Sequence, residues 1–111
     1  MTTRAAVVPI AGELHLGTVA DWEGRVETAA ARSGAVVLDL TGLEFIDSAG
    51  VHGLFRMLAT ASSQGTRIAL VCPKERPARR LLETLSLDVI VPLHETVPLA
   101  CASTEAAPRD G

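Results

Sequence analysis

The sequence predicts an α/β fold: one small domain with a mostly parallel central sheet of about four strands and alternating helices. Three observations carry this. The runs AVVLDL (35–40) and RIALVC (67–72) are continuous, apolar and rich in β-branched residues. Such runs suit central strands covered on both faces. Segments of helical period separate the strand-like runs. The resulting order, strand then helix four times over, is the pattern of parallel strands joined by right-handed crossovers.

Each element has its own justification. AAVVPIA (5–11) reads as the first strand, and Pro9 within it points to a sheet edge or a kink. GELHLG (12–17) reads as a connection or an extension of that strand. A helix starts at Thr18, where Thr18 and Asp21 have capping-box spacing. Val19, Trp22, Val26, Ala29 and Ala30 form its apolar stripe, which makes Trp22 a core residue rather than a ligand platform, and Gly34 marks its end. A second helix is expected over 49–62, with Val51, Leu54, Phe55, Leu58 and Ala61 or Ser62 inward and His52, Arg56 and Thr60 outward. PARRLLETLSL (77–87) is a third helix with Pro77 in its first turn. DVIVPL (88–93) reads as a last short strand. TVPLACAS (96–103) reads as a final helix capped by Thr96.

Length and composition bound the function. The chain has 111 residues, is 48% hydrophobic and carries a formal net charge of −3. One domain is expected over residues 1–102, with the polar STEAAPRDG (103–111) as a disordered tail. The mild acidity argues against nucleic-acid binding. No apolar run reaches 18 residues, so no membrane insertion is expected. The N-terminus lacks signal-peptide character, and a cytoplasmic location follows as the default. Cys72 and Cys101 have no metal-site spacing. They read as reduced thiols, with a regulatory disulfide as the alternative. KERPARR (74–80) carries four positive charges and one negative; a solvated loop is the plain reading, and contact with an acidic partner or a phosphate the sharper one.

FIDSAG (45–50) stands at a strand-to-helix junction, where sites gather in such sheets. Ser48 admits three readings. It can cap the following helix, with Gly50 in the first turn allowing another backbone close. It can be a nucleophile, but Ile46 stands where the sharp elbow of G-x-S-x-G needs glycine, and His94 is the only downstream histidine outside the local helix. It can be a switch, because a helix N-terminus offers free N–H groups and positive dipole charge to a phosphate. Phosphorylation would add about 1.5 to 2 negative charges beside Asp47 and turn a docking face repulsive.

GELHLGT before a helix, then VVLDLTGLEFIDSAGVHGL, GTRIALVCP and RRLLETLSLDVIVPL, together resemble the STAS domain. More narrowly they resemble the bacterial anti-sigma factor antagonists, over about residues 5–100. The resemblance implies a STAS-like fold and a cycle of reversible protein binding. The unphosphorylated protein captures an anti-sigma factor that is also a serine kinase of the histidine-kinase-like ATPase fold, and so frees a sigma factor. The kinase modifies the serine of the D-S-x-G motif, here Ser48, and a phosphatase removes the mark. The implied partner surface is His15, Thr18, Asp47, Ser48, Ala49 and Gly50. His15 stands where the family usually has Asp, and Ala49 where it often has Ser or Thr. The His15 change is either a tolerated surface substitution or a sign of altered partner choice. No catalytic residue, metal or cofactor is implied. The alternative is the same module in another assembly, such as a lipid-transport ATPase complex or a stress-signalling complex.

Overall fold

The computed structural model describes residues 4–105. In chain order the elements are β1 (Ala6–Pro9), β2 (Gly12–Leu14), α1 (Val19–Arg32), β3 (Ala35–Asp39), β4 (Leu43–Ile46) and α2 (Ser48–Ser63). Then follow β5 (Arg67–Val71), α3 (Pro77–Thr84), α4 (Leu87–Ile90), β6 (Leu93–His94) and α5 (Val97–Glu105). The four-stranded sheet has the order β1-β3-β5-β6, with every pairing parallel. A separate parallel ribbon joins β2 to β4. Among the described residues, no helix is long and apolar enough to cross a membrane.

The apolar run of β3 explains the layering. Successive side chains of a strand point to opposite faces. Val36 and Leu38 enter the larger core with α1, α2, α3 and α4 residues, while Val37 joins Ala69, Val71 and Ala100 of α5 on the other face. Both faces of β3 are therefore buried, as its unbroken hydrophobicity predicts. The α1 stripe also holds: Val19, Val26 and Ala30 are buried, and Trp22 and Ala29 pack on the same core. The outer side of the Trp22 ring carries the Arg25 guanidinium, 4.5 Å from its centroid. Pro9 lies on an edge strand, since β1 pairs with β3 alone. The next residue, Ile10, donates its N–H to the Asp39 carbonyl at 2.9 Å.

Three expectations are corrected. GEL is not an extension of the first strand but a strand of the second ribbon, and its partner LEFI is a strand that the sequence reading passes over. Residues 88–93 are not a strand. Ser86, in the left-handed region (φ 60°, ψ 28°), breaks α3 from α4, and only Leu93 and His94 pair with β5. Leu87 and Val91, four residues apart, are both buried while Val89 and Ile90 are exposed. That burial pattern is helical, and it overrides the strand preference of DVIV. The last helix also runs beyond residue 102. Thr104 is buried, its carbonyl accepts from Arg67 Nη1 at 3.0 Å, and Glu105 accepts the Ala5 N–H at 2.9 Å. The rest of the expected tail, 106–111, lies outside the described residues.

Candidate functional site

The short ribbon brings the two halves of the site together. Leu14 and Ile46 are register partners on parallel strands, so His15 and Asp47 leave the ribbon side by side. The Leu14 carbonyl accepts the Asp47 N–H at 3.3 Å. The first turn of α2 then lies directly against the end of β2. A Cβ on Gly50 would fall 2.8 Å from the Leu14 carbonyl carbon and 2.9 Å from Ile46 Cγ1, inside any normal contact. One turn later, a Cβ on Gly53 would overlap a Val19 methyl group. The two glycines, three apart, share a helix face and let α2 sit close to both β2 and α1.

An ion pair fixes the same approach on the outside. Arg56 donates from Nη2 to Glu23 Oε1 at 2.8 Å and from Nε to Glu23 Oε2 at 3.1 Å. The two guanidinium bonds hold the Glu23 carboxyl below its ordinary pKa and raise that of Arg56. Arg56 is thus outward-facing, as its helical position predicts, but partnered across to α1.

Asp47, not Ser48, is the helix cap. Its extended backbone (φ −106°, ψ −174°) turns its carboxylate back, and Oδ1 accepts the Gly50 N–H at 2.8 Å. Ser48 becomes the first helical residue, exposed, with Ala49 half-buried behind it. Both residues lie in the first turn, where backbone N–H groups have no partner within the helix.

The other half of the site is the loop from His15 to Thr18. Thr18 does not form the expected capping box: it makes no side-chain cap bond. Instead Oγ1 donates to the Glu13 carbonyl at 2.8 Å and accepts the His15 N–H at 3.0 Å, which ties the loop to its own strand. His15 Nδ1 accepts the Gly17 N–H at 2.9 Å, leaving the ring proton on Nε2, which lies 3.0 Å from Glu13 Oε1. Its ring meets Phe45 edge-on, with centroids 6.4 Å apart. Glu13 and Phe45 are themselves register partners. The surface around these segments carries exposed carboxylates at Glu13 and Glu44 and the apolar Phe45 and Leu16, with Asp47 half-buried at the cap.

The structure brings His15, Thr18, Asp47, Ser48, Ala49 and Gly50 onto adjoining segments. His94 lies in β6, its Nε2 buried and without a hydrogen-bond partner among the described residues. KERPARR is not uniformly solvated. Arg79 is 13% exposed and donates to the Cys72 carbonyl, Glu95 and Glu83, tying α3 to the ends of β5 and β6. Sequence reasoning missed Phe45 and Gly53. The first hides in an unrecognised strand, whereas the G-x-x-G spacing of residues 50 and 53 on the inner helix face was a usable signal.

Comparison with known proteins adds the following. The family model described as STAS domain matches residues 1–100. An anti-sigma factor antagonist from Mycobacterium paratuberculosis is similar over 90% of this chain and 85% of its own, with 26% identity and a TM-score of 0.74. The anti-sigma factor antagonist SpoIIAA in its unphosphorylated form is 19% identical, with 98% and 95% covered and a TM-score of 0.72. A sulfate transporter family protein from Wolinella succinogenes is 16% identical, with 92% and 85% covered and a TM-score of 0.77. The last two likenesses concern the fold alone. No curated protein matches the chain in sequence. On the family match and the shared architecture, the chain belongs to the STAS domain family.

Proposed function

We propose that the protein is an anti-sigma factor antagonist, switched by phosphorylation of Ser48. Unphosphorylated, it binds a serine-kinase anti-sigma factor of the histidine-kinase-like ATPase fold in the cytoplasm and frees a sigma factor. The kinase modifies Ser48 and thereby ends binding; a phosphatase restores it. The observation that carries this reading is the division of labour between Asp47 and Ser48. Because Asp47 supplies the cap, the exposed Ser48 hydroxyl is not needed to hold α2. A phosphate on it would lie at the positive end of the helix and cost the fold little. On the docking face the same dianion, beside Asp47, imposes repulsion and desolvation on a partner. The Mycobacterium paratuberculosis neighbour supports the role. The transporter-family neighbour, at 16% identity, does not favour a second one.

The test is titration against the anti-sigma factor kinases of the source organism, with phosphosite mapping by mass spectrometry. Ser48→Asp should abolish binding with the melting temperature nearly unchanged. Ser48→Ala should bind and resist modification. Equal binding by both variants would refute the switch. His15→Asp, in the same titration, shows whether this histidine sets affinity.

A further inference from the structure

Phe45 faces two ways. Its ring meets His15 edge-on, in the loop beside Ser48, and it also lines a crease between β4 and α3. Ile46, Pro77, Ala78 and Leu81 form the rest of the crease that matters here, with a volume of about 130 Å³. Sites for drug-sized ligands hold roughly 300–1,000 Å³. This one accommodates a single side chain, and its lining, apolar apart from Glu44, favours an apolar one. Phe45 is 51% exposed, an unusual share for a phenylalanine, so one wall of the crease stands open to a partner.

Charge at the rim narrows the partner's chemistry. Arg79 is occupied by Glu83 and Glu95. Arg76 and Arg80, four residues apart at the start of α3, make no ion pair among the described residues, and Arg80 is exposed. Arg80 also lies one turn on from Pro77 of the crease wall. Arg76 and Arg80 thus put positive charge at the start of α3, next to the crease wall, whereas Glu44 lines the crease and Asp47 caps the neighbouring helix. A complementary surface offers a carboxylate opposite α3.

The crease and Ser48 fall under one footprint. Three residues of extended chain span about 10 Å, which is the reach from Phe45 to Ser48. A standard interface covers about 800 Å² on each partner, a patch roughly 30 Å across. We infer that the β4–α3 crease is a second contact for the kinase that docks at Ser48. It takes one apolar side chain of that kinase between Phe45 and Leu81, with a kinase carboxylate against Arg80. This rests on the reading of Ser48 given above and names where the partner's grip lies outside the switch.

The experiment is calorimetric titration of the unphosphorylated full chain with the purified anti-sigma factor kinase, comparing wild type, Phe45→Ala, Arg80→Glu, Ser48→Asp and Leu99→Ala. Leu99 is exposed on α5 and serves as the control. Phe45→Ala and Arg80→Glu should each weaken binding by about tenfold or more, and Leu99→Ala should not. Amide exchange should slow over residues 77–81 on binding, as well as around Ser48. Arg80→Glu removes no side-chain hydrogen bond or ion pair among the described residues, so it tests the crease even if Phe45→Ala perturbs folding. Wild-type affinity in Arg80→Glu, with unchanged exchange over 77–81, overturns the inference; if Ser48→Asp still abolishes binding, the switch survives alone. Failure of every such kinase to bind the wild type overturns both.

Discussion

Gly50 packs against the main-chain carbonyl of Leu14, with no room between them for a side chain. Here a helix meets the end of a strand backbone to backbone. The neighbour cannot swing aside as a flexible side chain would.

Gly50→Ala therefore sets two effects against each other. Alanine favours a helix interior over glycine by about 1 kcal/mol. Overpacking a close contact costs about 1–3 kcal/mol, and more when backbone must move. The clash should win, with a loss of about 2 kcal/mol or more and a fall in melting temperature of roughly 8 °C or more. Gly24 is the control: it lies inside α1 with open space where a Cβ would stand. Gly24→Ala should stabilise by about 0.5–1 kcal/mol. Thermal melts of the two variants should move in opposite directions.

Asp47 caps α2 through one carboxylate oxygen. Asp47→Ala should cost about 1 kcal/mol, the usual value of a lost cap. Asp47→Asn keeps an oxygen acceptor and should cost only a few tenths of that. Urea denaturation would read the difference. If the alanine variant unfolds at the wild-type midpoint, the cap contributes nothing.

The two thiols lie on opposite faces of the sheet. Cys72 belongs to the core beneath α1–α4, and Cys101, on α5, packs against the Val37, Ala69 and Val71 face. Both are free, so the sheet stands in the way of the alternative disulfide. Burial pushes both thiol pKa values above the ordinary 9.0. The folded state thus favours the neutral thiol. That stabilisation is complete below the unfolded value and is lost as pH rises through the folded one. In iodoacetamide at pH 8 the half-buried Cys101 should react first, and Cys72 only at the rate of unfolding. A Cys72 that labels as fast as a free peptide thiol would contradict its place in the core.

The parts of the fold readable from sequence are those decided locally. The β3 run and the α1 stripe each follow from residues near one another in the chain, whereas Gly50 signals a close approach without naming its neighbour, Leu14, on a distant strand. The β2–β4 ribbon does not follow locally either. GEL is three residues long, too short to show alternation, and its partner lies some 30 positions away. The cap of α2 was misplaced by one residue because Asp and Ser are equally good caps and stand side by side; the backbone angles at Asp47 decide between them. DVIV misleads because its β-branched residues suit a strand, while tertiary burial selects Leu87 and Val91.

The position of Pro9 has a consequence for how the domain behaves in a crowded solution. Backbone N–H groups along a strand alternate in direction, and that of Ile10 points inward to Asp39. The nitrogen of Pro9 therefore faces the open side of β1, where proline offers no hydrogen to a passing strand. At the other border β6 contributes only two residues. Both borders are poor templates for adding a foreign strand, which guards against edge-to-edge aggregation.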